Sequence, residues 1–174
     1  ELSSNNNLIE GNFIGNCGDI SCDGIDISSA SNNVLKSNLI NCSALLRQGI
    51  NLAGTASNNL LINNIIYDNN GSEIQDSTGA ASLNRLVYNN SFGEIRWTSN
   101  AFLDDLDIDG NLSFSGAINI SNNSASLNPA AFGFGLINTS ANITLHTIGN
   151  RNLLFPHVLR DGVDCPTCSE LSYA

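Results

Sequence analysis

The densest group of acidic side chains lies past the middle of the chain, where Asp104, Asp105, Asp107 and Asp109 fall close together. Paired carboxylates at one place are the groups that hydrolyse glycosidic bonds, one acting as acid and the other as base or nucleophile. If the chain is an enzyme, Asp104, Asp105 and Asp107 are therefore its candidate catalytic residues. Both histidines lie far along the chain, and no cluster of arginine or lysine accompanies the carboxylates. We therefore assign no catalytic residue, and enzyme activity is the alternative to a non-catalytic role.

The same segment also places oxygen ligands at alternate positions, Asp105, Asp107 and Asp109, before Gly110. This spacing matches the first half of a calcium-binding loop, in which a glycine permits the sharp turn. The twelfth position, where such a loop carries a bidentate glutamate, is Gly116. Strand alternation accounts for the pattern as well, because it sends the intervening aliphatic residues inward and the aspartates to solvent. We expect a solvated strand face and no cofactor, with calcium at these three aspartates as the alternative.

The chain contains five cysteines. Cys165 and Cys168 enclose only a proline and a threonine, and without a second close pair they indicate a local disulfide rather than a zinc or redox site. Cys17 and Cys42 lie one repeat apart in the pattern described below, so their Cα atoms could lie within disulfide range. Cys17 and Cys22 could pair equally well within one loop, so a second disulfide is expected among these three. Disulfides imply an oxidising compartment and therefore an extracellular or cell-surface location.

Eight asparagines begin an Asn-x-Ser/Thr acceptor sequence for N-glycosylation. They are Asn41, Asn70, Asn89, Asn111, Asn119, Asn122, Asn138 and Asn142. Asn70 precedes Gly71 and Ser72, which predict an exposed loop, and it is the better acceptor. Asn41 falls inside a repeat corner, where it could instead be buried. We expect a glycoprotein with a subset of these sites occupied.

Composition limits what kind of protein this is. Hydrophobic residues make up 41% of the chain and aromatic residues only 6%, so the core must consist of small aliphatic side chains. The chain contains 29 asparagines, a residue that disfavours helices and ordinary strands and favours turns. The net charge of −10 excludes nucleic acid as a partner, because no basic cluster can replace counterions. No apolar run reaches transmembrane length.

A repeat emerges when the boundaries between asparagine and apolar residues are aligned. Asn7 is followed by two aliphatic residues, and equivalent asparagines recur at steps of 26, 26 and 25; another asparagine follows five residues after each. The first series is Asn7, Asn33, Asn59 and Asn84, and the second is Asn12, Asn38, Asn64 and Asn89. Repeats of this length indicate a solenoid. The apolar pieces are too short for helical repeats, so each repeat must contribute short strands.

We therefore predict an all-β fold, a right-handed parallel β-helix followed by a short, loop-rich C-terminal module. Right-handedness follows from the crossover rule for parallel strands. The two asparagine series would form ladders, in which side-chain amides bond from one repeat to the next. The β-helix is predicted over residues 1–142, with regular repeats over about 7–92 and irregular ones, or a hairpin, over about 93–142. Residues 143–174 would begin a small β module with the close cysteine pair.

The repeats, the segment from Asn119 to Ser124, and the segment from Asn142 to Cys168 together resemble secreted parallel β-helix proteins of the pectate-lyase-like superfamily. The combination with a close cysteine pair is most similar to large archaeal surface proteins of this kind. The resemblance implies the architecture and an extracellular location. Enzymes of this class act on polysaccharides and other members bind copper, but the fold alone does not imply either activity.

The favoured interpretation is an extracellular structural or adhesive surface protein. A stiff stack of repeats would present Ser, Asn and Asp to glycans or to neighbouring surface proteins. Because the ends of such a stack expose strand edges, end-to-end assembly into a homopolymer or filament is a further possibility. The alternatives are a carbohydrate-active enzyme, either a lyase or a hydrolase, and a calcium- or copper-binding module.

Overall fold

The fold is known from a computed structural model, which describes residues 1–15, 23–41, 48–67, 74–78, 82–97, 111–112, 118–122, 124–127, 141–146, 159–160 and 162–168. The described residues form strands and turns and contain no helix. The strands are β1 (Leu8–Glu10), β2 (Phe13–Gly15), β3 (Ile25–Ser28), β4 (Val34–Lys36), β5 (Leu39–Asn41), β6 (Ile50–Ala53), β7 (Leu60–Ile62), β8 (Ile65–Tyr67), β9 (Ile74–Asp76), β10 (Arg85–Asn90), β11 (Gly93–Trp97), β12 (Asn111–Leu112), β13 (Ile118–Ser121), β14 (Ser124–Leu127), β15 (Ala141–Leu145), β16 (Leu159–Arg160) and β17 (Val163–Asp164).

The first nine strands form three repeats of three strands, and like strands of successive repeats pair in parallel. The first sheet runs β1-β4-β7 and continues to β10, the second contains β2-β5-β8, and the third β3-β6-β9. In the first sheet Leu8 pairs with Val34, Val34 with Leu60, and Leu60 with Arg85. These are the steps of 26, 26 and 25 read from the sequence. The predicted all-β class is confirmed, with parallel sheets.

The lengths of the connections differ from side to side. Each ladder asparagine of the first series is followed five residues later by one of the second series. The connections between the second and third sheets are less regular: nine residues separate β2 from β3, eight separate β5 from β6, and six separate β8 from β9. Register in the third sheet accordingly shortens to 25 and then 24 residues, as in Ile25 to Ile50 to Ile74. The connections from the third sheet back to the first lengthen in compensation, with five, six and eight residues between β3 and β4, β6 and β7, and β9 and β10, so variation in connection length occurs on both sides of the third sheet.

The alternation of inward and outward side chains along the short strands determines which residues form the core. The middle residue of each three-residue strand in the first and second sheets points inward, as Leu35 and Ile40 do, and its neighbours face outward. In the third sheet the first and third residues point inward instead, as in β6. The buried aliphatic residues of the three repeats and of β10 are Ile25, Ile27, Ala30, Leu35, Ile40, Ile50, Leu52, Ala56, Leu61, Ile66, Ile74, Leu86 and Val87. This thin aliphatic core matches the low aromatic content.

The residue before each ladder asparagine other than Asn89 has a left-handed backbone. At the corner that precedes the first sheet, φ is 61° at Asn6, 59° at Asn32, 56° at Asn58 and 58° at Leu83. At the corner between the first and second sheets the same conformation occurs at Gly11 (68°), Ser37 (53°) and Asn63 (49°). Asparagine and glycine tolerate this conformation, whereas most side chains are strained by it. The abundance of asparagine thus follows from two sharp corners in every repeat.

Parallel pairing in the first sheet ends after β10. Asn90 accepts hydrogen bonds from the amides of Phe92 and Gly93 through its side chain, at 2.8 and 3.2 Å, and this turn sends β11 back antiparallel to β10. Gly93 is required for close approach, because a Cβ there would lie 2.2 Å from the carbonyl oxygen of Thr144 on β15. The largest buried side chain is Trp97, at the end of β11.

The remaining described strands also pair antiparallel. β12 lies on β8, β15 lies on β11, and the hairpins β13–β14 and β16–β17 each form a two-stranded sheet. The described strands within 93–142 thus pair antiparallel, and β13–β14 is a hairpin of the kind named as the alternative to irregular repeats. The boundary drawn at residues 142 and 143 falls inside β15, which belongs to the first sheet through β11. A division at that point would cut a strand of this sheet.

The Leu83→Asn variant is expected to be more stable than the parent protein by about 1 kcal/mol, because asparagine relieves the left-handed strain at this exposed position. Denaturant unfolding followed by the fluorescence of the single tryptophan measures the difference. Leu83→Ala is the matched control, since it removes the exposed side chain but keeps an L-residue with a Cβ at the same φ. An equal gain from both variants would attribute the effect to apolar exposure instead.

Candidate functional site

The first ladder joins Asn7, Asn33, Asn59 and Asn84 in one direction. The side-chain oxygen of Asn33 accepts hydrogen bonds from both the backbone amide and the Nδ2 group of Asn7, each at 2.9 Å. The side-chain oxygen of Asn59 accepts the corresponding two hydrogen bonds from Asn33, each at 3.0 Å. The side-chain oxygen of Asn84 accepts two more from Asn59, also at 3.0 Å. The Nδ2 group of Asn59 also donates to the carbonyl of Ala30 at 3.0 Å. From Asn33 onward the ladder is buried.

The second ladder repeats this geometry at the next corner. The side-chain oxygen of Asn38 accepts from the amide and Nδ2 of Asn12 at 3.0 Å, and that of Asn64 accepts from Asn38 at 3.1 and 3.0 Å. The ladder does not extend to Asn89 as predicted. Asn89 bonds Asn63 instead, donating its amide to Oδ1 at 2.8 Å and accepting from Nδ2 at 2.7 Å. The physical reason is that β10 runs straight on to Asn90, so no corner exists at that position.

Asp76 ends the first ladder, a role that sequence reasoning missed. It lies opposite Leu52 at an inward position of the third sheet and is buried. Its Oδ2 accepts from Nδ2 of Asn84 at 3.1 Å, and its Oδ1 accepts from the amide of Thr78 at 3.0 Å and from the Thr78 hydroxyl. The last asparagine therefore donates to a carboxylate. Only the 24-residue step between β6 and β9 could have revealed the inward position of Asp76.

The outward face of the third sheet is polar. Asp26, Asn51 and Gln75 are aligned across its three strands. The Nδ2 group of Asn51 donates to Asp26 and to Asp23, at 3.2 Å each. Partial burial raises the pKa of Asp26, and the nearby carboxylate of Asp23 raises it further. This face can hydrogen-bond a polar ligand such as a sugar hydroxyl.

The outward faces of the other two sheets carry exposed aliphatic and aromatic side chains. Leu8 on β1 is 62% exposed and Phe13 on β2 is 68% exposed, and Ile65 on β8 is also exposed. Beside Leu8, Glu10 forms an ion pair with Lys36 at 2.6 Å, between side chains that are both partly solvated. These faces thus combine apolar and charged groups at the surface.

The candidate catalytic residues Asp104, Asp105 and Asp107 lie outside the described residues, as do the candidate metal ligands Asp105, Asp107 and Asp109. In the part of the chain that the structure does describe, no three His, Cys, Asp or Glu side chains come together as a metal site requires. His146 lies at the end of β15, where its amide donates to the carbonyl of Phe92 at 2.7 Å.

Cys165 and Cys168 form a disulfide, with their Cα atoms 5.3 Å apart. The amide of Cys168 donates to the carbonyl of Cys165 at 3.1 Å, so the bridge closes a single turn after β17. The predicted disulfide in this segment is thus present. Cys17, Cys22 and Cys42 lie outside the described residues.

Six of the eight glycosylation acceptors fall on described residues. Asn41 ends β5, Asn111 begins β12, and Asn89 is engaged with Asn63. Asn119 on β13, Asn122 in the turn before β14, and Asn142 on β15 are exposed. Asn70 and Asn138 lie outside the described residues.

Comparison with known proteins found no match among protein-family models, curated proteins or solved structures. Nor do the described residues include a helix of the length and apolar character needed to span a bilayer.

Asn59→Ala is expected to destabilise the protein by about 3 kcal/mol, because it leaves the amide and Nδ2 of Asn33 and the carbonyl of Ala30 buried without partners. Asn7→Ala is the control at the edge of the same ladder, and it should cost less than about 1 kcal/mol, since no described residue donates to the Asn7 side chain. Chemical denaturation of both variants measures the two costs. Similar costs would mean that the ladder does not depend on burial.

Asp26→Asn is expected to stabilise the protein at neutral pH. Because the pKa of Asp26 is higher in the folded state than its ordinary value of 3.8, the folded state favours the protonated form, and this contribution is lost as pH rises through the raised pKa. An asparagine at position 26 removes that loss, and its side-chain oxygen can still accept the hydrogen bond from Nδ2 of Asn51. Unfolding should be measured from about pH 3 to about pH 7. The gain should vanish below the ordinary pKa, and Glu10→Gln, on another face, should give none; a gain independent of pH would contradict the account.

Proposed function

We propose that this chain is part of an extracellular structural or adhesive surface protein, built as a right-handed parallel β-helix of the secreted pectate-lyase-like kind. The observation that carries the proposal is the one-way asparagine relay through successive parallel repeats. A β-helix of this kind coils once per repeat and rises about 4.8 Å, with like residues stacked above one another. Stacked asparagines and aliphatic residues in three sheets match that coil. Such a stack is stiff, because each buried polar group is held by the next repeat.

The surfaces of the stack support adhesion better than catalysis. The third sheet presents the carboxylate and amide groups of Asp26, Asn51 and Gln75 in a row, a spacing suited to repeated hydroxyl groups of a glycan. The other two faces present Leu8 and Phe13, which would contact a neighbouring surface protein. Multiple weak contacts along one stiff surface would then combine into a strong attachment.

Two observations support the extracellular setting. The Cys165–Cys168 disulfide is one that an oxidising compartment maintains. Exposed acceptors at Asn119, Asn122 and Asn142 are accessible for glycosylation. Both features lie in the part of the chain that follows the three repeats.

The proposal is tested by incubating the purified protein with acidic and neutral polysaccharides. We expect retention on one or more of them in affinity electrophoresis, with no release of reducing ends or unsaturated products. Asp26→Asn combined with Asn51→Ala should weaken retention if the third-sheet face is the contact, and Glu10→Gln should not. Released products that disappear in an Asp105→Asn variant would replace the proposal by a carbohydrate-active enzyme. Retention that requires added calcium, with metal bound stoichiometrically after dialysis, would replace it by a metal-binding module.

A further inference from the structure

The disulfide between Cys165 and Cys168 ties no two strands together. Both cysteines follow β17, and the hairpin β16–β17 is held by main-chain pairing between its own strands. The stabilisation that a disulfide gives grows with the length of the loop it closes, and only Pro166 and Thr167 lie inside this one. The bridge therefore contributes little to the stability of the fold.

The two cysteines of the bridge lie in different surroundings, which their spacing in the sequence does not reveal. Cys168 is exposed to solvent, whereas Cys165 is partly buried. The hydroxyl of Thr167 lies 3.7 Å from Sγ of Cys165, and it is the donor, because a disulfide sulfur carries no hydrogen. In thiol–disulfide exchange a thiolate attacks one sulfur, and the other leaves faster when its negative charge is stabilised. Solvent exposure thus favours attack at Cys168, and the hydroxyl favours departure of Cys165.

We propose that this bridge is an exchange site, at which the cysteine thiol of another polypeptide is joined covalently to Cys168. The incoming thiolate forms a bond to Sγ of Cys168, the bond between the two cysteines breaks, and its electron pair remains on Sγ of Cys165. Cys165 then takes up a proton, which balances the proton that the incoming thiol released. The products are a mixed disulfide and one free thiol, so no oxidant is consumed. Such exchange does not depend on the β-helix or on glycan binding and is a function beyond the one proposed above.

The strands that lead into the bridge favour a polypeptide partner over a small thiol. Leu159 on β16 is 58% exposed, and Val163 on β17, two residues before Cys165, is 69% exposed. Apolar side chains beside the partner's cysteine would bury part of this surface when the mixed disulfide forms, and burial of apolar surface is favourable. Glutathione has no apolar side chain to offer. A cysteine with apolar neighbours is therefore the thiol that this site suits best.

Two thiols test the proposal on the whole, disulfide-bonded protein: reduced glutathione, and a synthetic peptide in which leucines flank a single cysteine. After acid quenching and alkylation, mass spectrometry of the proteolytic fragment that carries both cysteines locates the adduct and gives the rate. We expect the adduct at Cys168 and the alkylated free thiol at Cys165, with the leucine peptide reacting faster than glutathione. Val163→Ser should reduce that preference and leave the rate with glutathione unchanged.

Thr167→Val should slow the exchange at least about threefold with either thiol, because the leaving sulfur loses its donor, and Thr167→Ser should keep the parent rate. Thr144→Val removes an exposed hydroxyl on β15 and is the matched control, which should react as the parent does. A bridge that stays intact in excess thiol, an adduct mainly at Cys165, or an unchanged rate in Thr167→Val would overturn the proposal. Equal rates for the two thiols would overturn the assignment of a polypeptide partner.

Discussion

The fold depends on a constraint set by very short strands. A strand of three residues forms too few main-chain bonds to hold its own register, and a sheet of such strands is marginal. The side chains of asparagine at the corners supply what is lacking. Asn33, Asn38 and Asn59 each accept two hydrogen bonds from the repeat before and donate to the repeat after, so their buried amide groups are held from both sides. Register in the sheets follows from register at the corners.

The two ends of the stack are consequently different. At the far end the relay reaches Asp76, whose carboxylate is a stronger acceptor than an amide oxygen, and the turn at Asn90 reverses the chain so that β11 covers the last parallel strand. At the near end the asparagine oxygens face outward and the first aliphatic layer is only partly covered. The direction in which the asparagine amides point therefore places a carboxylate, rather than another amide, where the relay stops.

The repeat could be predicted because residue type and spacing coincide where the chain is most constrained. Asn7, Asn33, Asn59 and Asn84 stand at a step of 25 or 26, each two residues before an inward aliphatic side chain, and only a stacked structure gives that pattern a reason. Asn89 was assigned to the wrong partner because the sequence does not show whether the chain turns or runs straight after Val87. The reversal after Asn90 was equally hidden, since asparagine, serine and glycine favour turns between parallel and antiparallel strands alike. Such choices depend on what covers the strand, which is tertiary information.

The uneven connections have a consequence for how such a chain can change over generations. Between the first and second sheets the spacing is constant, because one left-handed residue and one ladder asparagine fill the corner, and an extra residue there would break the relay. Between the second and third sheets the length falls from nine to eight to six residues while the strands on either side remain aligned. The connections from the third sheet back to the first also vary, from five to six to eight residues, so differences in length are tolerated on both sides of the third sheet and excluded from the corner between the first and second sheets. Diversification, whether by natural selection or by grafting a foreign loop, has a permissive flank already separated from the parts that preserve the architecture.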